Sequence, residues 1–368
     1  LGETSVPLSS AVGRIVARDI IALCDVPHYA SSAMDGWAVA GPAPWNLVEN
    51  VSLARGEARA IVTGGLIPEG ADRVLRSEHG ESISTGGLVT LQTNANARAG
   101  EPKKDDNVRP AGEEVAITDV VIHAGTSLNP AHIAVAAVCG YDEVLVLPQP
   151  QVSLVLTGDE VVDHGIPEPG HVRDTFGPQL PSFVAMLGGR VTANTRLPDN
   201  LGMLIAAIEA HPDVDVIITT GGTGDSPVDH LRPALKVLRA EIRIDGIAMR
   251  PGGPSLLAEL PDGRFLVGLP GNPLAAMMGM LTLVHPLLAR LAGNAEPVLG
   301  SVLAAGELTG HPGLSKLLPY RLQDGQAVTS QWFGSGMLRG LAEADGVLIT
   351  PPSGAHAGAK VQTVPLPW

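Results

Sequence analysis

The apolar positions of this chain keep different rhythms in different stretches, and the changes between them divide it. From Pro7 to about Asp19, the residues Leu8, Val12, Ile15 and Val16, with Ile20 just beyond, follow a helix-like spacing interrupted by Gly13, which predicts a short helix. From Pro27 to about Val121 the pattern shortens to alternating runs, "WAVA", "RAIVTG", "LVTLQT", "EEVAI" and "DVVIH", separated by Gly, Pro and Asn. That alternation predicts a β-rich module. Asn129 and Pro130 then supply a cap and a first-turn proline for "AHIAVAAVC", with Gly140 as the stop, and "DEVLVLPQPQ" reads as a strand followed by a linker.

From Val152 to about Gly293 strands alternate with helices, the signature of an α/β sheet. "VSLVL", "RVTANTR", "DVIIT" and "RFLVGL" read as strands. Leu201, Leu204, Ile205 and Ile208 share one helical face behind Asn200 or Asp199 as the cap. Asn272 and Pro273 open a helix that reaches toward Leu291, with Pro286 as a kink and Gly293 as its end. Glu296 to Trp368 returns to short alternating runs, a small β-module.

The chain's 368 residues exceed one ordinary core and imply two to four domains. Hydrophobic residues make up 45% but aromatics only 3%, so the cores are built from Ala, Val, Leu and Ile. A net charge of −14 without a basic stripe argues against nucleic acid and against a membrane as partners. An anion is then held locally, by oriented amides, a few Arg or Lys, or a bridging cation. Cys24 and Cys139 form neither a disulfide framework nor a metal-ligand spacing. With no apolar leader at the start and no uninterrupted apolar run of about 18 residues, the expectation is a cytoplasmic protein.

Polar glycine loops follow three of the α/β strands: "TGDE" at Thr157 to Glu160, "TGGTGDSPVD" at Thr220 to Asp229, and "LPGNP" at Leu269 to Pro273. Ligands of open α/β sheets bind beyond the carboxyl ends of strands, so the loops are expected to converge on one crevice. Glu160, Asp225, Asp229 and Asp199 would gather carboxylates there, which suits a hard cation such as Mg²⁺. Gly221, Gly222 and Gly224 would offer amides to phosphate. For the second loop alone, an ordinary turn with Asp229 capping the helix near Leu231 is the competing reading. Gly-Lys never occurs, no G-x-S-x-G elbow is present and the histidines lack zinc spacing, so a P-loop or a common hydrolase site is not indicated.

The successive stretches "SSAMDGWAV", "TGGLIPEGADRV", "NVRPAGEEV", "LTGDE", "GGTGDSPVD", "MRPGGP" and "LPGNP", followed by "FGSGMLRGLAEADGVLITPP", resemble the ordered signatures of the molybdopterin molybdenumtransferase family, which includes the gephyrin E domain. The resemblance implies a multidomain α/β plus β protein: a helical N-terminal and linker region (1–26 with 118–149), an inserted β-rich domain (27–117), a central α/β domain of the molybdopterin-binding type with a mostly parallel sheet (150–294), and a small C-terminal β-barrel-like domain (295–368). It further implies an elongated homodimer, active with Mg²⁺, that inserts molybdate into adenylylated molybdopterin and releases AMP, with a molybdopterin adenylyltransferase as a candidate pathway partner. Carried over by motif, Asp35, Thr63, Glu114, Glu160 and Asp229 would act in catalysis, Glu160 and Asp229 also holding Mg²⁺, while Asp199, Arg250, Pro270, Gly271, Asn272, Pro273, Arg321 and Ser335 would bind substrate.

Three positions depart from the family pattern. Glu114 stands where aspartate is usual, Gly253 lacks the second lysine of the basic loop whose first charge Arg250 keeps, and an expected aspartate-serine-asparagine run reads "RDTFG", which puts Phe176 near a polar place. A pterin-binding or scaffold paralogue with little transferase activity is the alternative reading, and a molybdopterin adenylyltransferase a second.

Overall fold

The computed structural model describes residues 2–224 and 229–368. Asp225, expected among the cleft carboxylates, lies outside them. The chain separates into two compact units, residues 3–146 and 147–368.

In the first unit the expected β-rich module is a mixed sheet in which Gly36–Val39 lies between Arg73–Arg76 and Glu57–Ile61, continued by Trp45–Leu47, Leu88–Thr93 and Gly80–Thr85. Its core is small, with Val39, Trp45, Ala58, Leu75 and Leu91 buried. Helix Pro130–Val138 forms as the sequence predicts. The Asn129 side chain accepts from the amide of His132, and the His132 ring reaches back to the Asn129 amide.

The helix expected over Pro7 to Asp19 does not form. Thr4–Pro7 is a strand paired with Glu143–Val146, one tight turn covers Leu8–Ser10, and Ile15 and Val16 bridge to Ser127 and Val146. Gly13 at φ 79° breaks a helical path, and extended pairing already buries Ala11, Ile15 and Val16, so tertiary contacts override the spacing.

The second unit contains the α/β sheet. Its strands run in the order Arg190–Leu197, Gln151–Thr157, Val216–Thr220, Phe265–Leu269, Leu256–Glu259, Glu241–Asp245; the first four are parallel and the last two antiparallel. Val216–Thr220 is buried along its whole length, which its β-branched run foretells. Helices Phe176–Met186 and Pro273–Gly279 cover one face, and Leu201–Glu209 and Leu231–Val237 the other. Asn200 caps Leu201–Glu209 by accepting from the Met203 amide. The helix behind Asn272 continues through a wide π turn at Met280–Val284 into His285–Ala292 and ends at Gly293 in the left-handed conformation. Pro286 is therefore accommodated just after a wide turn, where its missing N–H costs least. Although this 20-residue stretch is long and apolar enough to cross a membrane, 67% of its most apolar window is buried, and it serves as the core helix of the sheet.

Strands Gly300–Ala304, Ser315–Gln323, Gln326–Thr329, Gly346–Thr350 and Lys360–Val364 close into a barrel, because Ser315–Gln323 pairs with both Gln326–Thr329 and Gly346–Thr350. Closure leaves no unpaired edge within it.

Candidate functional site

The parallel strands end in register. Leu156 faces Thr220, Thr220 faces Leu269, and Thr157 faces Leu197, so the loops that follow emerge side by side. They line a cleft of about 700 Å³ that brings together Thr157, Gly158, Glu160, Asp199, Gly221, Gly222, Asp229, Gly271, Asn272 and Pro273. The convergence expected from the sequence is therefore present.

Its floor is tightly built. The Thr157 hydroxyl donates to the Thr220 carbonyl at 2.9 Å, and a Cβ at position 221 would lie 2.9 Å from that hydroxyl oxygen. Gly221 also has φ 85°, so only glycine fits without strain. Asp229 presses its carboxylate against Gly224, where a Cβ would stand 2.8 Å from Oδ2. Helix Leu231–Val237 takes His230, not Asp229, as its flanking residue, which places Asp229 one step outside the cap position. Asp159 and Asp199 clasp their loops together, each carboxylate accepting from the other's backbone amide at 3.3 and 3.1 Å.

Sequence reasoning passes over Arg173. It lines this cleft and, among the described residues, is the one Lys or Arg to do so. Its guanidinium donates to the Val162 carbonyl at 3.2 Å, tying it to the short strand pair Val161–Val162 and Val172–Arg173. The signal was its place one residue before Asp174. That side chain accepts from the amides of Phe176 and Gly177 and pairs with Arg196 at 2.6 Å, so it anchors the helix at the cleft. Phe176, expected near a polar place, does line this cleft beside Asp174 and Thr175, yet it is only 8% exposed and packs into the sheet core. Its backbone amide, not its side chain, meets a polar partner.

No three His, Cys, Asp or Glu side chains among the described residues form a ready metal cage. Mg²⁺ seldom uses one; it is commonly bound by one or two carboxylates plus substrate phosphates and keeps its remaining waters. Glu160 and Asp229, facing the same cleft, fit that kind of binding.

A second cleft, of about 520 Å³, lies on the other side of Asn272 and is lined by Arg250, Gly253, Pro270, Asn272, Ser335, Lys316 and His311, with Met249, Leu314 and Phe333 among its apolar walls. The Ser335 carbonyl accepts from the Ala275 amide at 3.1 Å, which fixes its loop to the first turn of the core helix. Arg321 lines neither cleft. Lys316 and Leu318 share one side of strand Ser315–Gln323, and the odd offset to Arg321 turns it to the other side, where it pairs with Glu343 at 3.6 Å. The same alternation was the available signal for Lys316.

Within the first unit, Asp35 and Thr63 meet. The Thr63 amide and hydroxyl donate to Asp35 Oδ1, and these bonds, the amide's first, hold the Asp35 carboxyl below its ordinary value despite a small opposing effect of burial. The Glu114 backbone amide donates to the Val26 carbonyl at 2.9 Å.

Residues 1–140 match the family described as MoeA N-terminal region (domain I and II), and residues 153–290 match the probable molybdopterin binding domain. A molybdopterin molybdenumtransferase of Staphylococcus aureus strain MRSA252 is 33% identical over 313 residues, 79% of this chain and 72% of the relative. One of Staphylococcus epidermidis strain ATCC 35984 is 31% identical over 309 residues, 78% and 71% of the two chains. Among solved structures, a molybdopterin biosynthesis MoeA protein from Pyrococcus horikoshii superimposes with a TM-score of 0.76 at 26% identity, covering 99% of this chain and 94% of the other.

Proposed function

Because this chain belongs to the molybdopterin molybdenumtransferase family, we propose that it inserts molybdate into adenylylated molybdopterin with Mg²⁺ and releases AMP. The observation that carries this reading is the pair of clefts divided by Asn272, one ringed by glycine loops and carboxylates, the other bearing Arg250 and Ser335. A substrate that joins a pyrophosphate to a metal-accepting pterin needs two such environments side by side.

In the first cleft, the backbone around Gly221, Gly222 and Gly271 takes up the pyrophosphate and Arg173 adds a positive charge to it. Glu160 and Asp229 hold Mg²⁺, which when bound neutralises phosphate charge and favours phosphoanhydride cleavage. Asp199 is already engaged with the Asp159 amide and serves to position the loop. In the second cleft Arg250 and Ser335 face the oxyanion and Pro270 shapes the wall. Arg321 is left out of this machinery.

A homodimer accords with the exposed apolar residues Ile21, Leu23, Val120 and Val138 on one strand pair and its adjoining helix end. A cytoplasmic setting accords with two free thiols, and an adenylyltransferase would supply the substrate. Purified protein given adenylylated molybdopterin, Mg²⁺ and molybdate should release AMP and yield active cofactor. Binding without AMP release would favour the scaffold reading, and adenylylation of free pterin by ATP would favour the adenylyltransferase.

A further inference from the structure

The second cleft is unusual for an acidic chain. Asp and Glu outnumber Lys and Arg by 38 to 24, yet among the described residues no carboxylate lines this cleft, whereas the basic side chains of Arg250, Lys316 and His311 do. Two of these basic residues are direct cross-strand partners: Met249–Arg250 runs parallel to the start of Ser315–Gln323, and Arg250 stands opposite Lys316. Like charges placed opposite one another destabilise a sheet unless something anionic lies between or above them. No ion pair to either side chain occurs among the described residues, and the Lys316 ammonium has a single carbonyl, that of Thr309 at 2.6 Å, as its hydrogen-bond partner.

Gly253 explains why the charge sits on this strand. A Cβ there would lie 2.9 Å from the Met249 carbonyl oxygen and 3.4 Å from that of Ile247, and the Gly253 carbonyl accepts from the Ile247 amide at 2.8 Å. The loop is closed on itself by backbone atoms, which cannot swing aside as a flexible side chain does. A lysine has no room at position 253, whereas Lys316 reaches the same cleft from the barrel.

We propose that Lys316, paired across the strands with Arg250, is a specificity-determining residue of an oxyanion subsite and supplies the positive charge that the loop at Gly253 cannot carry. The inference rests on the transferase reading for the identity of the oxyanion and not for the existence of the subsite. Three of the ammonium's donors are available in total, so one bond to Thr309 leaves two for a tetrahedral oxyanion. His311 also lines this cleft.

The test is calorimetric titration of the full-length protein with molybdate alone, at two salt concentrations. Lys316→Met should weaken molybdate binding by roughly tenfold or more, the scale of a lost hydrogen bond to a charged group. Lys316→Arg should restore most of the affinity, and Arg250→Met should show a loss similar to that of Lys316→Met. Lys360→Met, on another barrel strand, should bind as the parent does. The affinity of the parent should fall with added salt more steeply than that of Lys316→Met. If Lys316→Met proves unstable, Lys316→Gln, which keeps a polar side chain of similar reach, takes its place. Parental affinity in Lys316→Met, or no molybdate binding by the parent, overturns the inference. AMP release is measured separately, so a protein that releases AMP while binding molybdate independently of Lys316 refutes this subsite and leaves the transferase reading standing.

Discussion

Thr63 gives both its amide, at 2.6 Å, and its hydroxyl, at 2.9 Å, to the same oxygen of Asp35. Both donors favour the ionised carboxyl, so its pKa is lowered. The sign follows: the stabilising contribution is complete above the unfolded pKa of about 3.9 and is lost as the pH falls through the lower folded value. Thr63→Val removes the hydroxyl and keeps the amide, the larger cause. The Asp35 pKa should rise part of the way toward its ordinary value in a ¹³C carboxyl NMR titration. An unchanged titration would mean that the hydroxyl bond does not persist in solution.

Asp229 is packed against Gly224 at the cleft rather than buried in the core. Asp229→Ala should therefore keep the melting temperature and lower AMP release by about a hundredfold, or roughly 3 kcal/mol of barrier. Glu160→Gln should shift the Mg²⁺ titration to higher concentration. Turnover near the parental rate in the first variant, or an unmoved Mg²⁺ curve in the second, would remove the metal role from these residues.

Asp174 joins three groups, the amides of Phe176 and Gly177 and the Arg196 guanidinium, with only 8% of its side chain exposed. Asp174→Ala removes a helix cap and leaves a largely covered arginine without its carboxylate. A stability loss of about 2–4 kcal/mol is expected by denaturant titration. Asp174→Asn should recover the cap bonds and only that part of the loss.

Gly253→Lys is the substitution that comparison with the family invites, and steric crowding opposes it. Its φ lies outside the left-handed region, so the obstacle is the Met249 carbonyl oxygen 2.9 Å from the new Cβ. Thermal unfolding should show a loss of about 1–3 kcal/mol, typical of overpacking. Full stability together with tighter molybdate binding would show that the loop opens freely.

The sheet, its caps and its three glycine loops were legible because each has a local cause: β-branched runs for buried strands, Asn200 and Asn129 before helices, and glycines where the chain turns. The meeting of Glu160, Asp199 and Asp229 followed from strand direction alone. The barrel strand was harder. Whether Lys316 or Arg321 faces a cleft depends on the strand's phase, which a run as apolar as "LLPY" does not declare. Arg173 was hidden in a short strand pair whose partner, Val162, lies eleven residues away, and the N-terminal helix was misread because Ile15 and Val16 are buried as well by pairing as by a helical face.

Asn272 borders both clefts, so a ligand in either one meets the same side chain. A ligand that settled Asn272 into one arrangement from the first cleft would change the affinity for an anion in the second by some factor, and reciprocity would require the anion to change the first ligand's affinity by the same factor. If the preferred arrangements coincide, each ligand recruits the other; if they conflict, the departure of one becomes the condition for the entry of the next. The order of arrival and release would then follow from the rotamer preferences of a single side chain.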